Sequence, residues 1–162
     1  MSLLRVAGFV RGWKGGGDIV AEEREIALPD GGTIPASFYA PGGARGVPAW
    51  IALHGITVPG REHAVLVRFA TAVAATGAVV VVPEIRRWRE LALDTRAADV
   101  PIRAVLDLLD EDERTRGAPG LVGFSFGGPQ VVRLAGDPHV GPRLSGVASF
   151  GGYGDLETTI RF

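Results

Sequence analysis

Four short apolar runs limit the fold of this 162-residue chain more than any other feature. They are Ala49-Trp50-Ile51-Ala52-Leu53 and residues 78–82, 120–124 and 145–150. Each has strand length and none alternates with polar residues, the pattern of a strand covered on both faces. Segments of helical spacing lie between them. Residues 61–76 put Leu66, Phe69, Ala70, Val73 and Ala74 on one face, with Gly77 as the stop. Residues 99–110 put Ile102, Val105, Leu106 and Leu109 in one stripe, and Pro101 is admissible in the first turn. Residues 129–135 form a shorter helix ended by Gly136. Buried strands alternating with helices predict an α/β fold, a mostly parallel sheet with helices on both faces.

Upstream, residues 23–28 and 33–40 read as strands around the turn Pro29-Asp30-Gly31-Gly32, which predicts an antiparallel N-terminal hairpin. Residues 12–17 read as a flexible or turn segment, and residues 41–48 as a Gly/Pro-rich loop. No repeat or linker divides the chain, so residues 1–162 form one domain. Apolar residues make up 46%, enough for a core. The net charge of −1 offers no footprint for nucleic acid or an anionic membrane. The absence of cysteine excludes disulfides, thiol chemistry and Cys-based metal sites, and nothing calls for a cofactor. The apolar start is broken by Arg5, is too short to span a membrane and lacks a signal-like cleavage site. The expectation is a soluble cytoplasmic protein.

The chemistry-bearing motif is Gly123-Phe124-Ser125-Phe126-Gly127, a G-x-S-x-G. In a chain this rich in glycine the spacing arises by chance about 0.1 times. Its setting lowers that risk: an apolar strand precedes it and a short helix with Pro129 near its start follows. A nucleophile on a sharp strand-to-helix turn needs small residues two before and two after it, and both are glycine. The helix N-terminus then aims free N–H groups where an oxyanion would form. The plain alternative is a Gly-rich turn carrying an ordinary serine.

A second signal, Leu53-His54-Gly55-Ile56, follows the first buried run. With both motifs in this order, roughly residues 23–155 resemble the α/β-hydrolase superfamily, nearest to dienelactone hydrolase-like and esterase-like or peptidase-like serine hydrolases. The resemblance implies Ser125 as nucleophile, with the Phe126 and Ile56 N–H groups as the oxyanion hole; the register of Ile56 is the looser of the two. It implies that His54 shapes its loop and takes no proton. The chain departs from true dienelactone hydrolases, whose nucleophile is cysteine, so their substrate does not carry over.

The triad order in this fold is Ser, acid, His. Only His139 follows Ser125, in a turn expected at the opposite end of the sheet. His63, at a helix start, reads as solvated or capping. Asp155, after the fourth run, is the one candidate acid, against a reading as a loop aspartate. Glu84, at the catalytic end of a strand, reads as a solvated rim charge, against a reading as a pocket-lining residue. By the resemblance, the usual acid and base come after Phe162, so the chain is expected to stop inside the domain. The fourth run then becomes an exposed apolar edge open to self-association.

Two functions are compatible with these residues. One is a serine hydrolase cleaving a small-molecule carboxylic ester, thioester or amide through an acyl-enzyme on Ser125. The other is a catalytically inert fragment or non-catalytic binding module. A nucleotide-binding domain is disfavoured, since neither G-x-x-x-x-G-K-[ST] nor a strand-linked G-x-G-x-x-G occurs.

Overall fold

Hydrophobic faces decide the layering. In the computed structural model, which describes residues 3–161, six strands form one sheet in the order β1-β2-β4-β3-β5-β6. The strands are β1 (Ile19–Ala27), β2 (Thr33–Pro41), β3 (Ala49–Leu53), β4 (Val79–Pro83), β5 (Gly120–Phe124) and β6 (Gly146–Phe150). β1 and β2 form the antiparallel hairpin, β2 pairs antiparallel with β4, and β4-β3-β5-β6 run parallel.

Residues of β3 and β4 alternate between two cores, as strand geometry requires. Ala52, Val80 and Val82 pack with Leu66, Ala70 and Ala74 of α2 (Ala64–Ala74). Ile51, Leu53, Val79 and Val81 pack on the other side with Ile102, Val105 and Leu106 of α4 (Asp99–Glu111) and Val131 and Leu134 of α5 (Gly127–Ala135). The fold is therefore the expected parallel sheet with helices on both faces and an N-terminal hairpin.

Three helices were not legible in sequence. α1 (Leu3–Trp13) lies against α2 and takes in the start of the segment read as flexible. α3 (Arg86–Arg89) is one turn, and α6 (Leu156–Ile160) follows the last strand. β1 begins four residues before the expected Glu23, and a 3₁₀ turn over Gly60–Glu62 replaces the first turn of the expected second-layer helix. The run 145–150 takes the place expected of it, an apolar strand at the edge of the sheet. It forms β6 and, as the last strand of the sheet, is mostly exposed, Val147 and Phe150 included.

A charged clamp ties the loop after α4 to the hairpin. Arg114 grips Asp112 with Nε 2.9 Å from Oδ1 and Nη2 2.6 Å from Oδ2, and donates to Glu22 at 3.2 Å. The Arg114 side-chain hydrogen bonds hold the Asp112 carboxyl below the usual carboxylate range, with burial opposing them; Arg24 adds to the effect. A carboxyl whose folded pKa is depressed contributes stability above its unfolded pKa and loses it as pH falls through the folded one. The wild-type urea midpoint should therefore fall more steeply than that of Asp112→Asn between about pH 5 and pH 2. Parallel curves would show that the clamp contributes nothing.

Candidate active site around Ser125

β5 delivers Ser125 directly into α5 through a single left-handed residue. Ser125 has φ +51°, a conformation disfavoured for an L side chain. Its N–H donates to the Phe150 carbonyl at the end of β6 (2.8 Å), and its carbonyl accepts from Gly128 N–H (2.9 Å). The backbone is thus fixed on both sides while the side chain is exposed. The glycines around it are sterically required. A Cβ on Gly123 would collide with the Gly127 carbonyl, and one on Gly127 would sit 2.6 Å from the His54 carbonyl oxygen.

Ser125 opens into a cavity of about 370 Å³. Ile56, Val65, Leu66 and Phe124 give it apolar walls; Thr57 and His63 add polar groups. Among the described residues, neither the Ile56 nor the Phe126 N–H donates a hydrogen bond within the protein. Phe126 is buried at the N-terminus of α5, its ring edge-on to Trp88 at 5.4 Å. A wider cleft of about 680 Å³ lies between α1 and α2. Its one side-chain hydroxyl, on Thr71, is bonded to the Val67 carbonyl.

Glu84 corrects the sequence reading. It is not a solvated rim charge but 4% exposed, with Oε1 3.1 Å from His54 Nε2 and Oε2 3.3 Å from Arg89. Burial alone pushes its carboxyl up; His54, Arg89 and Arg61 together outweigh burial and hold it below the usual carboxylate range. Arg61, also buried, donates to Ser37 Oγ at 2.9 Å and pairs with Glu23. The only sequence sign of this cluster was an acid directly after an unbroken apolar strand.

The histidines divide by position. His54 is buried, bonded at both ring nitrogens and not directed to Ser125. His63 is exposed at the N-terminus of α2, where its side chain caps nothing, and it lines the Ser125 cavity. His139 is exposed in the turn after α5. None hydrogen-bonds Ser125 among the described residues. Asp155 is the N-cap of α6, accepting from Thr158 N–H at 2.7 Å, which holds its carboxyl below the usual range. No three His, Cys, Asp or Glu side chains converge as a metal site among the described residues. Among them, too, no helix is long and apolar enough to cross a membrane.

No protein-family model and no curated protein sequence matches the chain. Solved structures do. Brefeldin A esterase, a bacterial homologue of human hormone-sensitive lipase, superposes with a TM-score of 0.71 at 21% identity, covering 97% of this chain and 52% of its own. The fold is that of the α/β-hydrolases. A post-proline cleaving enzyme from Rickettsia typhi shares it (TM-score 0.65, 22% identity, 90% of this chain and 23% of that one). So does a cold-adapted esterase from an Arctic intertidal metagenomic library (0.64, 16%, 81% and 60%). The chain thus spans about half the length of the esterases it matches. At these identities the α/β-hydrolase likeness concerns architecture.

Proposed function

We propose that this protein is a serine hydrolase that cleaves a carboxylic ester, thioester or amide through an acyl-enzyme on Ser125. The observation that carries this reading is a strained, exposed serine at a helix N-terminus, set in a cavity beside two N–H groups without partners. Strain held by a rigid frame is characteristic of functional positions. In the proposed reaction Ser125 Oγ attacks the carbonyl carbon while its proton passes to a base. The carbonyl oxygen becomes an oxyanion facing the Phe126 and Ile56 N–H groups, the leaving group departs protonated, and water then releases the acid. The structural neighbours named as esterases and as a post-proline cleaving enzyme support acyl transfer as the reaction class.

A serine needs an activating base, and among the described residues none is bonded to Ser125. That observation favours the second reading, a non-catalytic module. One experiment decides between them. The purified chain is treated with a fluorophosphonate, with and without added imidazole as a surrogate base, and the adduct is mapped by mass spectrometry. The hydrolase reading expects an adduct on Ser125 that forms faster with imidazole. A folded chain that stays unlabelled in both conditions, or is labelled elsewhere, supports the non-catalytic module instead.

A further inference from the structure

The two edges of the sheet are built differently. β1 carries Glu22, Glu23, Arg24 and Glu25, and charge along an edge keeps other strands away. β6 reads Gly146-Val147-Ala148-Ser149-Phe150, with no charge, no proline and no break in its register with β5. Val147 and Phe150 are exposed on it, and no strand pairs with its outer side among the described residues. Such an edge accepts a further strand, and the side chains decide which strand fits.

The backbone limits the choice first. The Phe150 carbonyl faces inward, accepting from Ser125 N–H at 2.8 Å. Successive residues of a strand direct their N–H and C=O groups to opposite edges, so those of Val147 and Ser149 face outward. An antiparallel partner must pair at these two positions. A second β6 does so when a twofold axis passes beside Ala148. Val147 then meets the partner subunit's Ser149, and each exchanges both of its backbone hydrogen bonds with the other. No like charges meet, because the strand has none.

The side chains favour the same register. Gly146, Ala148 and Phe150 lie on the face that packs toward α2. Pairing about Ala148 sets that small residue opposite its own copy and Phe150 opposite the partner subunit's Gly146. One face of the Phe150 ring stacks on Phe124 at 5.4 Å, and the ring remains 50% exposed. The space above Gly146 is open, since a Cβ there would meet nothing within 4 Å. Beyond it the Trp50 indole lies across Gly120, the residue paired with Gly146. The strand thus has a bare ring at one end and an open apolar seat at the other, a self-complementary pair under twofold symmetry. Sliding the register by two residues sets Phe150 against Ala148 or past the end of β6, and the seat stays empty.

We propose that β6 pairs antiparallel with β6 of a second copy about Ala148, with each Phe150 seated over the partner subunit's Gly146 and against its Trp50. The two sheets become one, and the hydrolase reading of Ser125 is not needed for it.

The chain has no cysteine, so Ala148→Cys introduces its sole thiol. Residues facing each other as a non-hydrogen-bonded pair have Cα atoms about 4.5 Å apart, within disulfide reach. Mild oxidation should therefore link Ala148→Cys chains in pairs. Val147→Cys and Ser149→Cys should link little, because each lies a diagonal of about 7–8 Å from its own copy. Sedimentation of the wild-type chain should show a closed dimer that dissociates on dilution. Gly146→Val is the second test. The backbone at Gly146 lies outside the left-handed region and the monomer has room for the side chain, so the variant should fold. In the dimer valine takes the place of the partner subunit's Phe150, and the dissociation constant should rise about tenfold or more. Equal linking of all three cysteine variants, or a dimer that Gly146→Val leaves unchanged, overturns the proposal. Open-ended aggregates in place of a dimer overturn it too. A wild-type chain that sediments as a monomer at every concentration does the same, and leaves the edge to a strand from another protein.

Discussion

A Ser125→Ala variant should lose fluorophosphonate labelling altogether, because it has no hydroxyl oxygen at that position to attack phosphorus. Ser125→Gly should lose it equally and yet fold more stably than the wild type. The reason is the φ of +51°. A left-handed conformation costs an L-residue about 1–2 kcal/mol, and glycine carries no such penalty. Alanine keeps the Cβ and so keeps the strain. Glycine should therefore raise unfolding stability by about 1 kcal/mol, less the added entropy of its unfolded chain. The comparison is a urea titration of three proteins alongside the labelling assay. Residual labelling of Ser125→Ala would remove Ser125 from the chemistry. A Ser125→Gly protein no more stable than Ser125→Ala would show that the turn stores no strain. The predicted combination, gained stability with lost reactivity, is the trade expected where a strained residue is kept for function.

The sheet was legible in sequence because burial on both faces leaves a strong local mark. Val79, Val80, Val81 and Val82 serve two cores in turn, so none of them can be polar. β5 was read to the residue for the same reason, with Gly123 as the position where a side chain cannot fit. α1 was missed because Gly8 and Gly12, which let it approach α2 closely, look in sequence like helix breakers. The site divides along the same line. Ser125 and its glycines are contiguous and readable as a motif. The His54–Glu84 contact joins residues 30 positions apart, across β3 and the end of β4. A lone acid after an apolar strand cannot reveal that it points inward, because the arginines that compensate its charge, Arg61 and Arg89, arrive from separate turns. His63 was read correctly as exposed, but only the path of the loop over residues 54–63 shows that it borders the Ser125 cavity.

Trp88 is the hidden member of this site, and Trp88→Ala should be the most destabilising single truncation near it. In sequence it sits among arginines, in Arg86-Arg87-Trp88-Arg89, and nothing there suggests a core residue. Folded, it is fully buried in the one-turn helix α3. Its Nε1–H donates to the Asp94 carbonyl at 2.7 Å, which satisfies its single polar group. Its ring meets His54 at 5.7 Å and Phe126 at 5.4 Å, both near perpendicular. It therefore backs both residues whose neighbouring or own N–H groups face Ser125 in the proposed mechanism. Removing a buried indole costs about 3–5 kcal/mol through lost burial and the remaining cavity, a large share of the stability of a domain this size. Trp88→Phe keeps ring contact and loses only the indole nitrogen bond and some volume, so it should cost about 1–2 kcal/mol less than the alanine. Urea unfolding measures both. If Trp88→Ala leaves the midpoint within error of wild type, the packing of α3 against His54 and Phe126 is not what the structure shows. If Trp88→Phe remains folded but Ser125 labelling falls while the midpoint holds, the indole acts on the site through the placement of His54 and Phe126, not through overall stability.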